Sequence, residues 1–340
     1  CAKGAQWTAA LDVFKSMRER SVEANLITYN ATISAFEKGE QWQRALRLAA
    51  AMEEPDVITF NALISACEKG EQWEWACSLL ADMRSRQLQP DVISHSAAIS
   101  ACEKGSQPRR ALAMLTEMKN ARLEPDGHSY SAAIMACKHA RHWQGALELV
   151  AEMRGRGLRL DTVLCSAAIS ACGGGRQWEL ALSLLVGMEA EGLRLNVVAL
   201  AAALSALDRG GEWERALGML AAAEREGPMP NTIAYNTVIN AVERTSDWPR
   251  ALSLFGRLQE RKLQPNQVSF NLVIGACAKG KRWEQSLVLV ADMRRRGFQV
   301  DVVAGSVLAA LGVSGRYGEA SRLCREWGLS AANATDHWRR

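Results

Sequence analysis

Tryptophan recurs along this chain at a fixed interval, and this feature constrains the fold more than any other. Five tryptophans follow one another at steps of 35 residues: Trp143, Trp178, Trp213, Trp248 and Trp283. Trp7 and Trp42 keep the same step, and Pro108 takes the aromatic position in one copy. Trp73 follows Trp42 after only 31 residues because the intervening repeat is shortened. A period of this length is typical of stacked repeats, each of which buries its apolar face against the next.

Each repeat contains two helical patterns, as residues 57–91 show. Its first half places apolar residues at the i, i+3, i+4 and i+7 spacing of one helix face: Phe60, Leu63, Ile64 and Cys67. Gly70 stands where this helix is expected to end. Pro90 prevents the second helix from continuing, and Asp91 is a favoured N-cap for the helix that follows. We therefore predict a helical hairpin in every repeat.

The repeat pattern predicts an all-α solenoid with a continuous core rather than separate domains. Residues 1–25 form a partial repeat, residues 26–301 form eight tandem repeats of which the first is shortened, and residues 302–340 form a degenerate C-terminal cap and tail. The first residue is Cys1 rather than Met, which indicates a fragment or a trimmed chain.

The nine cysteines do not indicate a disulfide scaffold or a metal site. Disulfide scaffolds are much shorter chains, and no CxxC pair occurs here. Six cysteines share one repeat position, which elsewhere holds Phe36, Leu207 or Val242: Cys1, Cys67, Cys102, Cys137, Cys172 and Cys277. Since this position accepts varied apolar side chains, we predict that it is a packing position and that the chain holds no metal or cofactor.

A polar stripe on the first helix recurs with the same period. Counted from the first residue of each repeat, position 5 holds a small side chain, polar in all repeats but one: Asn30, Asn61, Ser96, Ser131, Ser166, Ala201, Asn236 and Asn271. Position 2 is aliphatic in seven repeats: Ile27, Ile58, Ile93, Val163, Val198, Ile233 and Val268. Asn is a mediocre helix former, so its recurrence needs another cause. A row of small polar groups indicates a surface that reads a ligand.

A cation recurs at position 13 in six repeats: Lys38, Lys69, Lys104, Arg209, Arg244 and Lys279. Their expected spacing is roughly 10 Å, the width of one packed helix. Because the net charge is only +4, anion binding depends on where the charges lie. Cations near a helix C-terminus are also favoured by the helix dipole, and Glu37, Glu68 and Glu103 directly precede three of them. The spacing alone leaves phosphate contact and helix stabilisation both open.

Residues 57–91, VITFNALISACEKGEQWEWACSLLADMRSRQLQPD, resemble a pentatricopeptide repeat of the 35-residue type, and the resemblance covers nearly all of residues 1–336. The first helices carry TYN, TFN, AYN and SFN motifs that match the start of such a repeat. Several repeats close with PD or PN, although those ending at Asp161, Asn196 and Asp301 lack the proline. The related 34-residue tetratricopeptide repeat fits less well, because the step here is 35.

The resemblance implies single-stranded RNA binding with one nucleotide per repeat, an established form of RNA recognition. It implies that position 5 and the last residue of the same repeat read the base, that position 2 packs on base faces, and that position 13 approaches a phosphate. The last residues are Asp56, Asp91, Asp126, Asp161, Asn196, Asn231, Asn266 and Asp301. Helix capping alone also favours Asp and Asn there, but capping gives no reason for the polar residue at position 5.

The code of this family then implies a target sequence. Asn with Asp favours U, Asn with Asn favours C, Ser with Asp favours G, and Ser with Asn favours A. The eight pairs give U-U-G-G-A-N-C-U from the N-terminal repeat. Ala201 cannot hydrogen-bond through its side chain, so the sixth base is expected to be weakly specified.

The chain end carries no catalytic motif of related proteins. Some relatives have a deaminase-like tail with a zinc site or a nuclease tail with clustered acids, but LSAANATDHWRR has neither. His139 and His142 lack an evident third ligand. We therefore predict no enzymatic activity. The alternative is a protein-binding scaffold, which would show uneven pockets instead of one polar pair per repeat. The resemblance also implies a right-handed superhelix and a mitochondrial or plastid protein that acts in RNA processing, stabilisation or translation.

Overall fold

The computed structural model describes residues 2–20, 22, 24–300, 307–308, 311, 316, 318 and 322–323. Within these residues the regular secondary structure is entirely α-helical. The helices are Ala2–Glu19 (α1), Leu26–Lys38 (α2), Trp42–Ala49 (α3), Val57–Lys69 (α4), Trp73–Ser85 (α5), Val92–Lys104 (α6), Pro108–Asn120 (α7), Gly127–His139 (α8), Trp143–Gly155 (α9), Thr162–Gly174 (α10), Trp178–Ala190 (α11), Val197–Gly210 (α12), Trp213–Glu226 (α13), Thr232–Glu243 (α14), Trp248–Glu260 (α15), Gln267–Lys279 (α16) and Trp283–Arg295 (α17).

The helices alternate as pairs along the chain. The even-numbered helices α2 to α16 each begin at the first residue of a repeat, and we call them helix A. The odd-numbered helices α3 to α17 are helix B, and α1 belongs to the partial repeat. The predicted all-α fold class is thus confirmed. The predicted right-handed superhelix stays a prediction, and most of the predicted cap, residues 302–340, lies outside the described residues.

Side-chain caps fix the start of every helix A. Asp91 accepts a hydrogen bond from the backbone N–H of Ser94 at 2.8 Å, and the Ser94 hydroxyl in turn accepts one from the Asp91 N–H. This is a capping box, which satisfies two backbone donors at the helix end. The residue before each of the other seven helices A also accepts from a backbone N–H in the first turn. The predicted capping function of Asp91 is confirmed.

The helices form two compact units, residues Cys1–Gly175 and Arg176–Arg340. In the first unit, α2, α4, α6, α8 and α10 pack in succession. Each of them contacts the helix that precedes it in sequence, and α2, α4, α6 and α8 also contact the helix that follows. In the second unit, α12, α14 and α16 pack in the same way. The hydrophobic core of the second unit also includes Val307, Leu308 and Leu311.

The cysteines at the shared repeat position lie in these cores. Cys67, Cys102, Cys137, Cys172 and Cys277 are fully buried free thiols. The predicted packing function is confirmed for these five residues, and Cys1 lies outside the described residues. Within the described parts of the chain, no cluster of His, Cys, Asp and Glu is able to hold a metal ion. In the same residues, no helix is both long and apolar enough to cross a membrane.

The repeated tryptophans are half-buried and pack against the next repeat. Trp42 covers Gly70 at the end of the next helix A so closely that a methyl group on Gly70 would overlap the indole ring. Five further pairs show the same contact: Trp7 with Gly39, Trp73 with Gly105, Trp143 with Gly175, Trp178 with Gly210 and Trp248 with Gly280. Where Pro108 replaces the tryptophan, Ala140 replaces the glycine. Thr245 is an exception opposite Trp213, and α14 ends at Glu243, before it reaches this residue.

Arginine side chains cover the tryptophan rings from the following repeat. The guanidinium of Arg110 lies 4.7 Å from the centre of the Trp73 ring. Similar contacts join Arg44 to Trp7, Arg215 to Trp178, Arg250 to Trp213, Arg282 to Trp248 and Arg316 to Trp283, at 4.3 to 4.9 Å. Such cation–π contacts stabilise by roughly 0.5–1 kcal/mol at exposed sites.

Candidate nucleic-acid interface

The position-2 side chains form an exposed apolar row on the helices A. Their exposed fractions range from 52% for Val268 to 77% for Ile27. The row comprises all seven predicted base-packing residues: Ile27, Ile58, Ile93, Val163, Val198, Ile233 and Val268. An isolated exposed aliphatic side chain is ordinary on a protein surface. Seven at one repeat position indicate a surface that is kept apolar for a ligand.

Three predicted base-reading pairs are in direct contact. The side-chain amide of Asn30 donates to Asp56 at 3.2 Å, that of Asn61 donates to both carboxylate oxygens of Asp91 at 3.3 and 3.2 Å, and that of Asn236 donates to Asn266 at 3.2 Å. In each pair the closing residue also caps the next helix A. The pair is therefore held in place by both repeats.

The predicted serines behave differently. Ser96 is hydrogen-bonded to Ser129 at 2.7 Å, and Ser129 donates to Asp126. The hydroxyls of Ser131 and Ser166 donate to backbone carbonyls of their own helices, at 2.6 and 2.5 Å. For Ser131, the structure shows no bond to the predicted partner Asp161 within the described residues. Asn196, the predicted partner of Ser166, belongs to the second unit and caps α12.

Two predicted pairs have only one polar member among the described residues. Asp301, the predicted partner of Asn271, lies outside the described residues. Asn231 caps α14, but position 5 of its repeat is Ala201, which has no polar side chain.

The closing carboxylates of Asp56, Asp91 and Asp126 are charged acceptors. Burial alone would raise the pKa of Asp91, but hydrogen bonds from the backbone and side chain of Ser94 and from Asn61 bring it below its ordinary value. The pKa values of Asp56 and Asp126 are lowered in the same way, chiefly by Thr59 and Ser129. An ionised carboxylate only accepts hydrogen bonds, while an amide both donates and accepts. Exchanging Asp for Asn at this position therefore changes the donors available to a ligand.

Carboxylates at position 12 bind the next helix A, and we call this arrangement the carboxylate clamp. Glu68 accepts a hydrogen bond from Ser100 at 2.8 Å, and it lies 3.3 Å from the ammonium of Lys104. Glu37 contacts Ser65 and Lys69 likewise, at 3.0 and 2.7 Å. Asp208 with Asn240 and Arg244, and Glu243 with Lys279, complete the set. Four of the six predicted phosphate-binding cations are thus paired with carboxylates.

The two remaining cations, Lys38 and Arg209, form no ion pair among the described residues. Position 12 of the repeat before Arg209 is Gly173, which has no carboxylate. At the next interface after Glu68, Met135 and His139 replace the usual hydroxyl and cation. There burial raises the pKa of Glu103, and His139 only partly opposes this effect. The sequence showed the acids next to the cations but not that they reach the following repeat.

The fold of the described residues is all-helical and consists of tandem two-helix repeats, three of which hold a hydrogen-bonded polar pair. The pentatricopeptide repeat domain model matches residues 2–39, 13–70, 113–175 and 183–245, and two PPR repeat models match residues 55–104 and 230–279, and residues 93–123 and 268–298. The chain belongs to the pentatricopeptide repeat family. A comparison with curated proteins found no match.

Solved structures share the fold. The crystal structure of the maize pentatricopeptide repeat protein PPR10 superimposes with a TM-score of 0.79 and 19% identity, over 98% of this chain and 48% of that one. PPR10 in complex with an 18-nt psaJ RNA element gives a TM-score of 0.74 at 19% identity, over 98% and 49% of the two chains. Our chain therefore spans about half the length of these proteins.

Proposed function

We propose that this chain binds single-stranded RNA and that each repeat contacts one nucleotide. The observation that carries the proposal is the regular combination, on the helices A, of an exposed aliphatic residue, a polar pair and a nearby cation. RNA bases present an apolar face and a polar edge, and the backbone presents one phosphate per nucleotide. The combination matches these three features at the interval of one repeat. Family membership and the RNA-bound state of PPR10 support the same function.

The chemistry of each contact follows from the side chains. The position-2 aliphatics pack against base faces and supply affinity for any base. The polar pair supplies selectivity, because a mismatched base leaves a desolvated polar group without a partner at a cost of roughly 1–3 kcal/mol. By the family's code we propose the preference U-U-G-G-A-N-C-U. Lys38 and Arg209 contact phosphates directly, and the four paired cations do so after exchanging their carboxylate partners for them.

We propose further that the protein has no catalytic activity of its own in these residues and that its function is to occupy RNA. By analogy with the family, we propose a mitochondrial or plastid location and an effect on RNA processing, stability or translation. The target transcript would follow from a search of organellar transcripts for the selected sequence.

Selection from a randomised RNA pool tests the proposal. The expected result is an enriched single-stranded motif with G-G-A at its centre, and a mobility shift with this RNA that single-stranded DNA and peptides fail to compete. Ser166→Asn should turn the fifth preference from A towards C and leave the neighbouring bases alone. Retention of A in this variant contradicts the code, and an unenriched pool contradicts RNA reading. Capture of a peptide instead of RNA favours the protein-scaffold alternative.

A further inference from the structure

Two thiols meet at the interface between the second and third repeats. The sulfur of Cys77 on α5 lies 3.8 Å from the sulfur of Cys102 on α6. Cys77 is half-buried and Cys102 is fully buried. The contact joins helix B of one repeat to helix A of the next.

The pair arises from a substitution at one repeat. Cys102 occupies the common cysteine position, position 11, but Cys77 stands at position 21. In the other repeats this position holds leucine: Leu46, Leu112, Leu147, Leu182, Leu217, Leu252 and Leu287. Packing alone therefore favours leucine at position 21. The chain places a cysteine there at an interface where the next helix A also supplies one.

The surroundings make Cys77 the more reactive of the two thiols. The thiol of Cys102 and the guanidinium of Arg110 stabilise the Cys77 thiolate against the opposing effect of burial and lower its pKa to about 7. Arg110 is held near by its contact with Trp73. The hydrogen bond with the Cys77 sulfur and, after it, burial raise the pKa of Cys102. A partly exposed thiolate beside a second thiol is the arrangement that oxidants convert to a disulfide.

We propose that Cys77 and Cys102 form an oxidation site, in which a hydroperoxide converts the two thiols to a disulfide that links the second and third repeats. The Cys77 thiolate attacks one peroxide oxygen, the O–O bond breaks, and a sulfenic acid forms. The other oxygen leaves as an alkoxide, or as hydroxide from hydrogen peroxide, and takes up the proton that the Cys77 thiol released on ionisation. The sulfur of Cys102 then attacks the Cys77 sulfur, and the S–O bond breaks as hydroxide leaves with the proton of Cys102 as water. With hydrogen peroxide, the two thiols lose two electrons and two protons and the peroxide becomes two molecules of water.

The geometry requires a small movement. The two sulfurs must approach from 3.8 Å to about 2 Å, the length of a disulfide bond. The resulting cross-link encloses the loop that ends at Asp91, the carboxylate that binds Asn61. Oxidation would thus restrain one predicted base-reading pair, although the site itself does not depend on RNA binding.

Peroxide treatment of the reduced 340-residue chain tests the site. With one equivalent of hydrogen peroxide, we expect the loss of two alkylatable thiols and a non-reduced peptide pair that contains Cys77 and Cys102, with a mass lower by two hydrogen atoms. A reductant should restore both thiols. Cys77→Leu, which introduces the residue of the other repeats, should keep its full thiol count under the same treatment.

A matched control is Cys67→Val, which alters a cysteine at the same repeat position as Cys102 and should still form the disulfide. The proposal is overturned if wild-type thiols survive the treatment. It is equally overturned if Cys77 becomes a sulfinic acid without linkage to Cys102, or if Cys77→Leu loses two thiols as the wild type does.

Discussion

At the scale of single residues, the closing residue of three repeats both caps the next helix A and binds the position-5 side chain of its own repeat, two functions that the sequence left side by side. Asp91 caps α6 through the Ser94 N–H and also accepts the Asn61 amide. Asn266 does the same for α16 and Asn236. Both Asp and Asn therefore cap the helix. Because capping does not require one of them in particular, the choice between Asp and Asn can serve base selection.

This separation predicts different effects for two substitutions of Asp91. Asp91→Ala removes the cap and should lower the free energy of unfolding by about 1–2 kcal/mol. Asp91→Asn keeps the cap, as Asn266 does in its own repeat, and should change stability by much less. By the family's code it should also move the second base preference from U to C. Urea denaturation and RNA selection on the same two variants check this. Equal stability loss in both variants would show that the carboxylate charge, not the cap, supports the helix.

A second prediction at this scale concerns the glycine under each tryptophan. A methyl group on Gly105 would overlap the Trp73 ring, so Gly105→Ala should destabilise by roughly 1–3 kcal/mol through overpacking. Gly256, inside α15, has open space around it. Gly256→Ala should be neutral or stabilise by up to about 1 kcal/mol, because Ala is the better helix former. Urea denaturation gives the free energy of unfolding of both variants. A Gly105→Ala variant as stable as the wild type would contradict the close packing of Trp73 on Gly105.

At the scale of helices, the residues that cap, start and end a helix predicted the helix boundaries well. Gly70 follows the last residue of α4, Trp73 begins α5, and Asp91 caps α6, because each residue acts locally on the backbone. Contacts between repeats were not predictable in this way. Glu68 directly precedes Lys69 but does not face it, since adjacent residues on a helix point in different directions. Only the packed structure shows that Glu68 meets Lys104.

The carboxylate clamp predicts that removing an acid strengthens RNA binding. Glu68→Gln keeps the shape of the side chain but frees Lys104 and removes a negative charge near the expected phosphate path. We expect RNA affinity to rise by up to about fivefold, since partly exposed ion pairs of this kind are typically worth about 0.2–1 kcal/mol. Glu74→Gln, on the exposed surface of helix B, removes the same charge elsewhere and serves as the control. Equal gains in both variants would indicate a net-charge effect without a function for the clamp.

At the scale of the whole molecule, the low net charge of +4 leaves little long-range attraction for RNA. The repeat pattern predicted the number of cations available, and the structure adds that four of the six are internally paired. This pairing depends on the register between neighbouring repeats, which no single repeat encodes. If the chain binds RNA as proposed, the internal pairs reduce the number of counterions that binding releases.

The salt dependence of RNA binding therefore measures how many of the six cations exchange counterions for phosphates. Each phosphate contact on a single strand contributes a slope of about −0.7 to log affinity against log salt concentration, so six free cations would give about −4. If the four clamped cations release few counterions, only Lys38 and Arg209 contribute fully, and the slope approaches about −1.4. We expect a wild-type value between these limits. Changing Glu37, Glu68, Asp208 and Glu243 together to the matching amides should steepen the slope towards about −4. A shallow slope that the fourfold variant leaves unchanged would mean that these six cations do not meet the RNA backbone, and that any affinity comes from the exposed aliphatic row and the polar pairs.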